Sequence, residues 1–291
     1  MQNNKALALI VQELRLKYPL DDLLEYIGLS RSTYYYNIRQ HEDKYADLKE
    51  SISSVFYENK GRYGYRRIHA ALCTDGIKRN PKLIRRLMRD LGLKGITNSK
   101  RRKYSSYKGE VGRIARNHLR RKFSSDAPYK KMVTDVTEFK TREGKLYLSP
   151  IIDLYNLEVI SFEISSSPSF NLVKKMISDA VAIVPAGSNP IVHSDQGWQY
   201  QMQEYQEILS SHGFVQSMSR KGNCLDNAVA EGFFSILKRE MYYGHEKEFY
   251  TNDQLEKAIR EYIYYYNNKR IKLRLDGHSP VEYRIIHSRS G

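Results

Sequence analysis

The sequence predicts a mixed α/β domain that follows small all-α domains. Between residues 131 and 164, three runs rich in β-branched residues are separated by short turns, which is typical of antiparallel strands. Two further strand-like runs then alternate with apolar residues at helical spacing, whereas the chain before residue 93 shows helical periodicity alone. We therefore divide the chain into N-terminal helices (1–42), a helical domain (43–93), a basic linker (94–124), an α/β core (125–243) and a C-terminal helical extension (244–291).

The composition favours a polyanionic partner. The 291 residues include 48 Lys and Arg against 33 Asp and Glu, which gives a formal net charge of +15 and a pI near 9.5. Nucleic acid is the expected partner, and we expect a soluble cytoplasmic protein because no run of 18 apolar residues and no signal-peptide core is present. The two cysteines, Cys73 and Cys224, are too few for a disulfide framework or an ordinary zinc module.

The N-terminal segment has the shape of a helix-turn-helix. Residues 5–17 have helical periodicity, and LDDLLEYIGLSRSTYYYNIRQ places a short helix before Gly28 and a second helix after a Ser cap. The second helix carries Tyr34, Tyr35, Tyr36 and Arg39, and in a helix-turn-helix it would lie in a DNA groove. A plain α-hairpin with tyrosines in its core remains the alternative.

The helical domain at 43–93 is predicted to bind DNA. Its third helix begins at Asn80 as cap with Pro81 in the first turn, and its apolar face includes Ile84 and Leu87. The opposite face is basic, which for a single helix is usually only a solvated surface. Other basic residues in the same small domain favour a DNA-facing surface, whose candidate contacts are Arg66, Arg67, Arg85 and Arg86.

The basic segment at 94–124 is predicted to be either a plain linker or an arm that follows DNA phosphates. Residues 94–122 contain eleven Lys or Arg against one acid, Glu110, with little apolar periodicity. Such a block of like charge is ordered by a counter-charge. Its candidate DNA contacts are Arg101, Arg102 and Lys103.

The order of elements in the core predicts a particular sheet. Strands are expected at 131–139, 145–153 and 158–164, followed by a helix at 170–184, the strand IVHSD, a helix at 201–212, the strand FVQSMS and a final helix. Three meandering strands followed by helix, strand, helix, strand, helix give a mixed five-stranded sheet of the ribonuclease-H kind. In that topology the first and fourth strands are neighbours. Capping boxes at Thr251 and Ser279 predict two further helices.

Three acids in this core are candidate catalytic and metal-binding residues: Asp135, Asp195 and Glu231. Acids are rare within such apolar stretches unless they have a partner, and carboxylates are the usual ligands that hold Mg²⁺ against a phosphate. Two Mg²⁺ ions about 3.5 to 4 Å apart can activate the nucleophile and stabilise the leaving oxygen in phosphodiester chemistry. The pattern therefore indicates a site that cuts and joins nucleic acid, with two Mg²⁺ ions expected and Mn²⁺ as a substitute.

Three further residues lie near these acids in the sequence. Lys238 follows Glu231 by seven residues and falls near the same helical face, so we expect it to bind the DNA backbone. His193 has two equal interpretations, a contact to metal or substrate and a structural hydrogen bond. Asp153 is the main alternative to Asp135, and we interpret it as an acid at a strand end because Tyr155 and a turn follow it.

The motifs VTDVTEF, HSDQGWQY and DNAVAEGFFSILKRE, with 35 residues between Asp195 and Glu231, closely resemble those of the DDE transposases of the insertion sequence three family, second-frame (OrfB) product. GRYGYRRIHAAL upstream and YIYYYNNKRIKLRLDGHSPVEYR near the end are similar to other regions of that family.

The resemblance implies a retroviral-integrase-like fold with Asp135, Asp195 and Glu231 as the metal-binding triad. It also implies a bacterial, nucleoid-associated protein that cuts the ends of a mobile element with water and then joins the freed 3′-hydroxyl to DNA through a bridged or circular intermediate. Double-stranded DNA, further copies of the chain and the first-frame (OrfA) product are the implied partners. A ribonuclease-H-like nuclease or resolvase, and a DNA-binding regulator without activity, are the alternatives.

Overall fold

The structure is a computed structural model that describes residues 4–38, 43–96, 114–220 and 227–288. Two compact units divide the chain, Met1–Ser54 and Val55–Gly291. In the described residues, no helix is both long enough and apolar enough to cross a membrane.

In the first unit, α1 (Asn4–Leu14), α2 (Leu20–Ile27) and α3 (Arg31–Ile38) form a small helical bundle. Gly28 ends α2 in the left-handed region at φ 73°, which suits the lack of a Cβ and turns the chain towards α3. Ala8, Leu24 and Tyr34 lie in its core, while Tyr35 and Tyr36 are exposed. Only one of the three tyrosines is therefore used for packing.

The next helices are α4 (Ala46–Glu58), α5 (Tyr65–Thr74) and α6 (Pro81–Asp90). The predicted start of α6 is confirmed, because the Asn80 side chain accepts a hydrogen bond from Lys82 N and Pro81 occupies the first turn. Ile84 and Leu87 are buried, whereas Arg85 and Arg86 are exposed. The helix is amphipathic as the spacing predicts.

One mixed sheet forms the centre of the second unit. Its strands are β1 (Lys131–Thr134), β2 (Thr137–Lys140), β3 (Lys145–Asp153), β4 (Val159–Ser165), β5 (Ile191–Ser194) and β6 (Val215–Met218). β3 pairs antiparallel with β1, β2 and β4, and β5 pairs in parallel with β1 and β6. The predicted neighbourhood of the first and fourth strands is thus confirmed as the β1–β5 pair.

The first predicted strand, 131–139, is two strands in the structure. β4 lies along one edge of β3, so β1 and β2 share its other edge, each beside a different part of β3. The sheet therefore has six strands in five positions, where the sequence predicts five strands. The break falls at Asp135 and Val136, where the chain leaves the β1 ladder with β5 and continues beside β3 alone.

Helices cover both faces of the sheet. On one face, α7 (Phe170–Ile183) and α9 (Gln203–Ser211) pack with α8 (Trp198–Gln201) beside them. The helix predicted at 201–212 is confirmed as α9, and α8 is a short further helix before it. On the other face lie α10 (Ala228–Leu237) and α11 (Asn252–Asn268). A π-helical turn at Lys238–Tyr242 follows α10, and α12 (Pro280–Ser288) is the last helix.

The C-terminal helices are part of this layered structure. The predicted capping box of α11 is confirmed, with Thr251 and Gln254 bonded reciprocally. Ser279 and Glu282 form the second box at the start of α12. Leu255 and Ile259 of α11 are buried in the same core as Val133 of β1. The residues after 244 therefore complete one face of the sheet.

Candidate active site

Asp135 and Asp195 come together because they follow neighbouring parallel strands. β1 and β5 are in register with Val133 beside His193. Continuing this register by two residues places Asp135 opposite Asp195, and neighbouring strands lie about 4.8 Å apart. Both acids therefore lie at the carboxyl edge of the parallel pair, where open α/β sheets commonly bind ligands.

A backbone N–H holds each carboxylate. Val136 N donates to Asp135 Oδ1 at 2.8 Å, and Gly197 N donates to Asp195 Oδ1 at 2.9 Å. A Cβ at Gly197 would lie 2.9 Å from the same oxygen of Asp195, so only glycine allows the loop to approach this closely. Among the described residues, the second oxygen of each carboxylate has no hydrogen bond.

The two carboxylates destabilise each other's charge. Burial raises the pKa of Asp135 well above its usual range, and the negative charges of Asp195 and Glu231 raise it further. Burial also raises the pKa of Asp195, against the hydrogen bond from Gly197. Such a pair is stabilised by a cation or by a shared proton.

Tyr200 lies close to the two acids. Its side chain is buried, and its hydroxyl oxygen lies 3.5 Å from Thr134 Oγ1, one residue before Asp135. Burial and then the charges of Asp135 and Asp195 raise the pKa of Tyr200 well above its usual value. The phenol is therefore held neutral and can supply a hydrogen bond but no charge.

Glu231 and Lys238 approach from α10. Glu231 is exposed in the first turn of that helix, and its charge acts on Asp135. Lys238 turns inward, since Nζ donates to the carbonyl of Glu138 at 2.7 Å and lies 4.8 Å from the centre of the Phe139 ring. Burial lowers the pKa of Lys238 to about 8, although the charges of Glu138 and Asp135 raise it.

The donors suit a hard divalent cation. Asp135 and Asp195 offer carboxylate oxygens that repel each other without a counter-charge, and oxygen is the ligand atom that Mg²⁺ prefers. Over 4–38, 43–96, 114–220 and 227–288, however, no three His, Cys, Asp or Glu side chains lie close enough to hold one metal ion. Glu231 thus stands outside the pair formed by Asp135 and Asp195.

The chain matches three domain families. The integrase core domain family matches residues 125–224, a second integrase core domain family matches 231–287, and an HTH-like domain matches 42–103. The first match contains Asp135 and Asp195, and the second begins at Glu231.

Close relatives are transposases of insertion sequences. The putative transposase InsK for insertion sequence element IS150 of Escherichia coli K12 is 50% identical over 277 residues, which cover 94% of this chain and 96% of the relative. The transposase InsF for insertion sequence IS3A of the same organism is 33% identical over 227 residues, 77% of this chain and 75% of the relative. The chain belongs to the DDE transposases of the insertion sequence three family. The transposase is therefore a polynucleotidyl transferase with an integrase-type core, and it acts on DNA.

Solved structures resemble the transposase more distantly. The HTLV-2 integrase catalytic core domain in complex with magnesium is 19% identical, with a TM-score of 0.44, over 55% of this chain and 98% of that one. This likeness is too low to support a conclusion about the transposase. Its fold class follows from the family matches and from the sheet order above.

The alternative acid of the transposase, Asp153, has structural partners. It is the last residue of β3, fully buried, and it accepts hydrogen bonds from Tyr129 N at 2.7 Å and Tyr155 N at 2.9 Å. It pairs with Met132 near the start of β1, whereas Asp135 follows the end of that strand. Burial raises the pKa of Asp153 to about 6. His193 likewise makes a structural contact, with Nδ1 2.8 Å from Ser217 Oγ.

The predicted DNA contacts of the transposase lie in different surroundings. Arg66 and Arg85 are exposed and both stack on the ring of Tyr65, at 5.5 and 5.7 Å from its centre. Arg86 is also exposed. Arg67 is directed inward, with its guanidinium 3.6 Å from the Glu240 carboxylate. Arg101, Arg102 and Lys103 lie outside the described residues.

Sequence reasoning missed the residues that shape the site of the transposase. Tyr200 is an aromatic residue five positions after Asp195, but nothing in the sequence distinguishes it from a tyrosine that only packs in the core. Gly197 is adjacent to Asp195, and only the close approach of its backbone reveals its role. Gln196 holds the same loop by donating to the carbonyl of Ser219 at 3.0 Å. No sequence pattern distinguishes that glutamine from a surface residue.

Proposed function

We propose that Asp135, Asp195 and Glu231 form the catalytic centre for cleavage and 3′-hydroxyl strand transfer at the ends of an insertion sequence. The main support for this proposal is that Asp135 and Asp195 lie side by side at one edge of the sheet. Each carboxylate accepts one backbone hydrogen bond and, among the described residues, keeps its second oxygen for another ligand. Relatives named as transposases of insertion sequences support the element ends as the substrate.

The acids would hold divalent metal, with two Mg²⁺ ions and Mn²⁺ as a substitute. Bound metal would supply positive charge for an attacking water or hydroxyl and for the leaving oxygen of the phosphodiester. Glu231 is the third ligand in this proposal, and its charge already acts on Asp135. The backbone N–H groups of Gly197 and Val136 orient the two aspartates. Tyr200 lies near them as a neutral phenol and adds no negative charge.

The basic residues divide into two roles. Arg66, Arg85 and Arg86 are exposed and suit phosphate contacts, as do Arg101, Arg102 and Lys103 by composition. Lys238 would place its charge between Asp135 and the DNA backbone. Arg67, which faces Glu240, would contribute to DNA binding indirectly by supporting α5. Joining two element ends requires several copies of the chain, and the first-frame product is a further partner in this proposal, within the bacterial cytoplasm.

Labelled duplex DNA that ends in the inverted repeat of the element tests the proposal. With Mg²⁺, the wild-type chain should nick this DNA at the element end and then join the 3′-hydroxyl to DNA. The Asp195→Asn variant should bind the DNA but neither cut nor join it. Asp153→Asn provides a matched control, because it neutralises a buried acid on the same sheet and should retain both steps. Cleavage without joining would indicate a nuclease, and binding alone would indicate a regulator.

A further inference from the structure

Two motifs that the active site does not use meet in the structure. GRYGYRRIHAAL spans the start of α5, and NNKRIKLRLDGHS begins in the last two residues of α11 and continues beyond it. Tyr63 joins them, since its hydroxyl donates to the carbonyl of Lys269 at 3.2 Å and accepts from Ile271 N at 3.0 Å. We call this contact region the α5 junction; it comprises residues 59–67 on one side and Glu240 with residues 262–271 on the other.

Glu240 is the centre of the α5 junction. Its carboxylate accepts from Arg270 Nε at 2.8 Å and from a second Arg270 nitrogen at 2.6 Å. It also accepts from the Tyr262 hydroxyl at 2.9 Å and lies 3.6 Å from Arg67. Arg62 Nε donates to the carbonyl of Glu240 at 3.3 Å. The α5 side thus contacts both the side chain and the backbone of one residue of the core.

Close packing also joins the residues of the α5 junction. Arg62 lies 4.5 Å from the centre of the Tyr265 ring, and the Tyr265 hydroxyl donates to Asn59 Oδ1 at 2.9 Å. A Cβ on Gly95, after α6, would lie 2.5 Å from the carbonyl oxygen of Tyr63, so the chain leaves α6 directly against the junction. The segment after α6 therefore packs against the residues that precede α5.

The buried ion pair of Arg270 and Glu240 gives the core side of the α5 junction a fixed geometry. Arg270 is 1% exposed and Glu240 7% exposed. A buried ion pair tolerates little displacement, because separating the partners leaves a charge without compensation in a medium of low polarity. Arg270 and Glu240 lie on the same side of the α5 junction, so their ion pair fixes the core side. The α5 side is held against it by Arg67, 3.6 Å from the Glu240 carboxylate, and by the hydrogen bonds of Arg62 and Tyr63. These contacts favour one arrangement of α5 relative to the sheet.

Glu240 also connects the α5 junction to the active site. It lies in the π-helical turn that begins at Lys238, and that turn continues α10, which carries Glu231. The same residue thus holds α5 on one side and the end of the catalytic helix on the other. DNA bound by Arg66 and Arg85 would be fixed relative to Asp135 through these contacts.

We propose that the α5 junction sets which phosphodiester is cut, by fixing the distance between DNA held on α5–α6 and the carboxylates Asp135 and Asp195. This inference rests on the proposed function. The residues of the junction are positioning residues, since they touch neither DNA nor the reacting atoms. Loosening the junction widens the set of phosphodiesters that reach the acids, while the chemistry at each one is unchanged.

Tyr63→Phe combined with Tyr265→Phe tests the inference. The double variant removes three hydrogen bonds across the α5 junction but keeps both rings in place. We expect arrangements in which α5 is displaced from the junction to become about a hundredfold more populated, because three hydrogen bonds of ordinary strength are lost. Tyr242→Phe is the matched control, because its hydroxyl also donates to one backbone carbonyl and accepts from one backbone N–H, both of Lys140 within the core.

Cleavage sites on end-labelled element DNA are mapped to single-nucleotide resolution with Mg²⁺ for all three proteins, beside binding and thermal unfolding. The inference predicts one cut position for the wild type and for Tyr242→Phe, and a spread to neighbouring phosphodiesters for the double variant with DNA binding retained. A single wild-type position in the folded double variant would overturn it. If the double variant unfolds, Arg67→Gln provides the same comparison with a milder change. A wild type that binds but does not cut would reject the proposed function itself.

Discussion

Asp135 lies opposite Asp195 at the ends of two parallel strands, and the negative charge of one carboxylate makes ionisation of the other less favourable. The register of β1 with β5 produces this neighbourhood directly. Burial and the charge of Asp195 raise the pKa of Asp135 well above its usual range. The fold thus spends stability to keep two acids together, which is expected at a site that binds cations.

Replacing one of these acids should therefore stabilise the metal-free protein. Asp135→Asn removes a buried charge from a repelling pair while keeping the shape of the side chain. We expect its Tm without metal to rise by roughly 2 to 4 °C, the shift that about 1 kcal/mol produces in a domain of this size. Millimolar Mg²⁺ should raise the Tm of the wild type more than that of the variant. Thermal unfolding measures both effects, and an unstable variant without metal would contradict the repulsion.

Gly197 should tolerate no side chain. Gly197→Ala places a Cβ 2.9 Å from Asp195 Oδ1, so either the loop or the carboxylate must move. We expect loss of cleavage with DNA binding retained. The control is Gly232→Ala in α10, where a Cβ would meet nothing within 4 Å. That change should preserve cleavage and stabilise the helix by up to about 1 kcal/mol. Equal cleavage by both variants would show that the Gly197 backbone is not needed to orient Asp195.

Lys238 should contribute one phosphate contact. If it does, Lys238→Ala lowers the slope of log Kd against log salt by about 1, and the loss of affinity is larger at low salt. Lys174→Ala is the control, because Lys174 is an exposed lysine on α7 whose Nζ pairs with Glu204 at 2.5 Å. Binding titrations at several salt concentrations measure the slopes. An unchanged slope for Lys238→Ala would confine Lys238 to its hydrogen bond with Glu138 and its electrostatic interaction with Asp135.

Asp153 should make stability depend on pH. Burial raises its pKa to about 6 in the folded protein, above the ordinary 3.8. The folded state therefore binds this proton more tightly, so the stabilisation is fully present below about pH 3.8 and is lost as pH rises through about 6. Between pH 4 and 7 the free energy of unfolding of the wild type should fall, relative to Asp153→Asn, by roughly 2 kcal/mol. Denaturant titrations of both proteins measure this difference, and a constant difference across that range would exclude the buried proton.

The sheet and its two aspartates could be predicted from the sequence because their signals are local. β-branched runs and turns specify the meander, and the order of later helices and strands places the strand before Asp195 beside the strand before Asp135. The break between β1 and β2 could not be predicted, since VTDVTEF alternates like one continuous strand. The two strands are distinguished only by their partners in the structure: β1 pairs with both β3 and β5, whereas β2 pairs with β3 alone.

Side-chain direction and distant contacts were beyond sequence reasoning. Helical spacing predicts Glu231 and Lys238 on one face, yet Glu231 is exposed and Lys238 turns inward to the carbonyl of Glu138. Tyr63 and Ile271 are 208 positions apart, and nothing periodic in either segment indicates that they meet. The ion pair between Arg67 and the buried Glu240 could not be predicted either, because nothing in the sequence distinguishes Arg67 from the other basic residues of its domain.

A metal-rescue experiment tests the central claim most directly, that Asp195 contacts the metal that cuts DNA. Asp195→Cys replaces a hard oxygen ligand by a softer sulfur, which binds Mg²⁺ poorly and Mn²⁺ or Cd²⁺ better. Cleavage of labelled element-end DNA is measured for the wild type and the variant in each ion. The account predicts no cleavage by the variant in Mg²⁺ and recovery in the softer ions, beyond any change that the wild type shows. Full cleavage in Mg²⁺, or no recovery in a folded variant that still binds DNA, would contradict it.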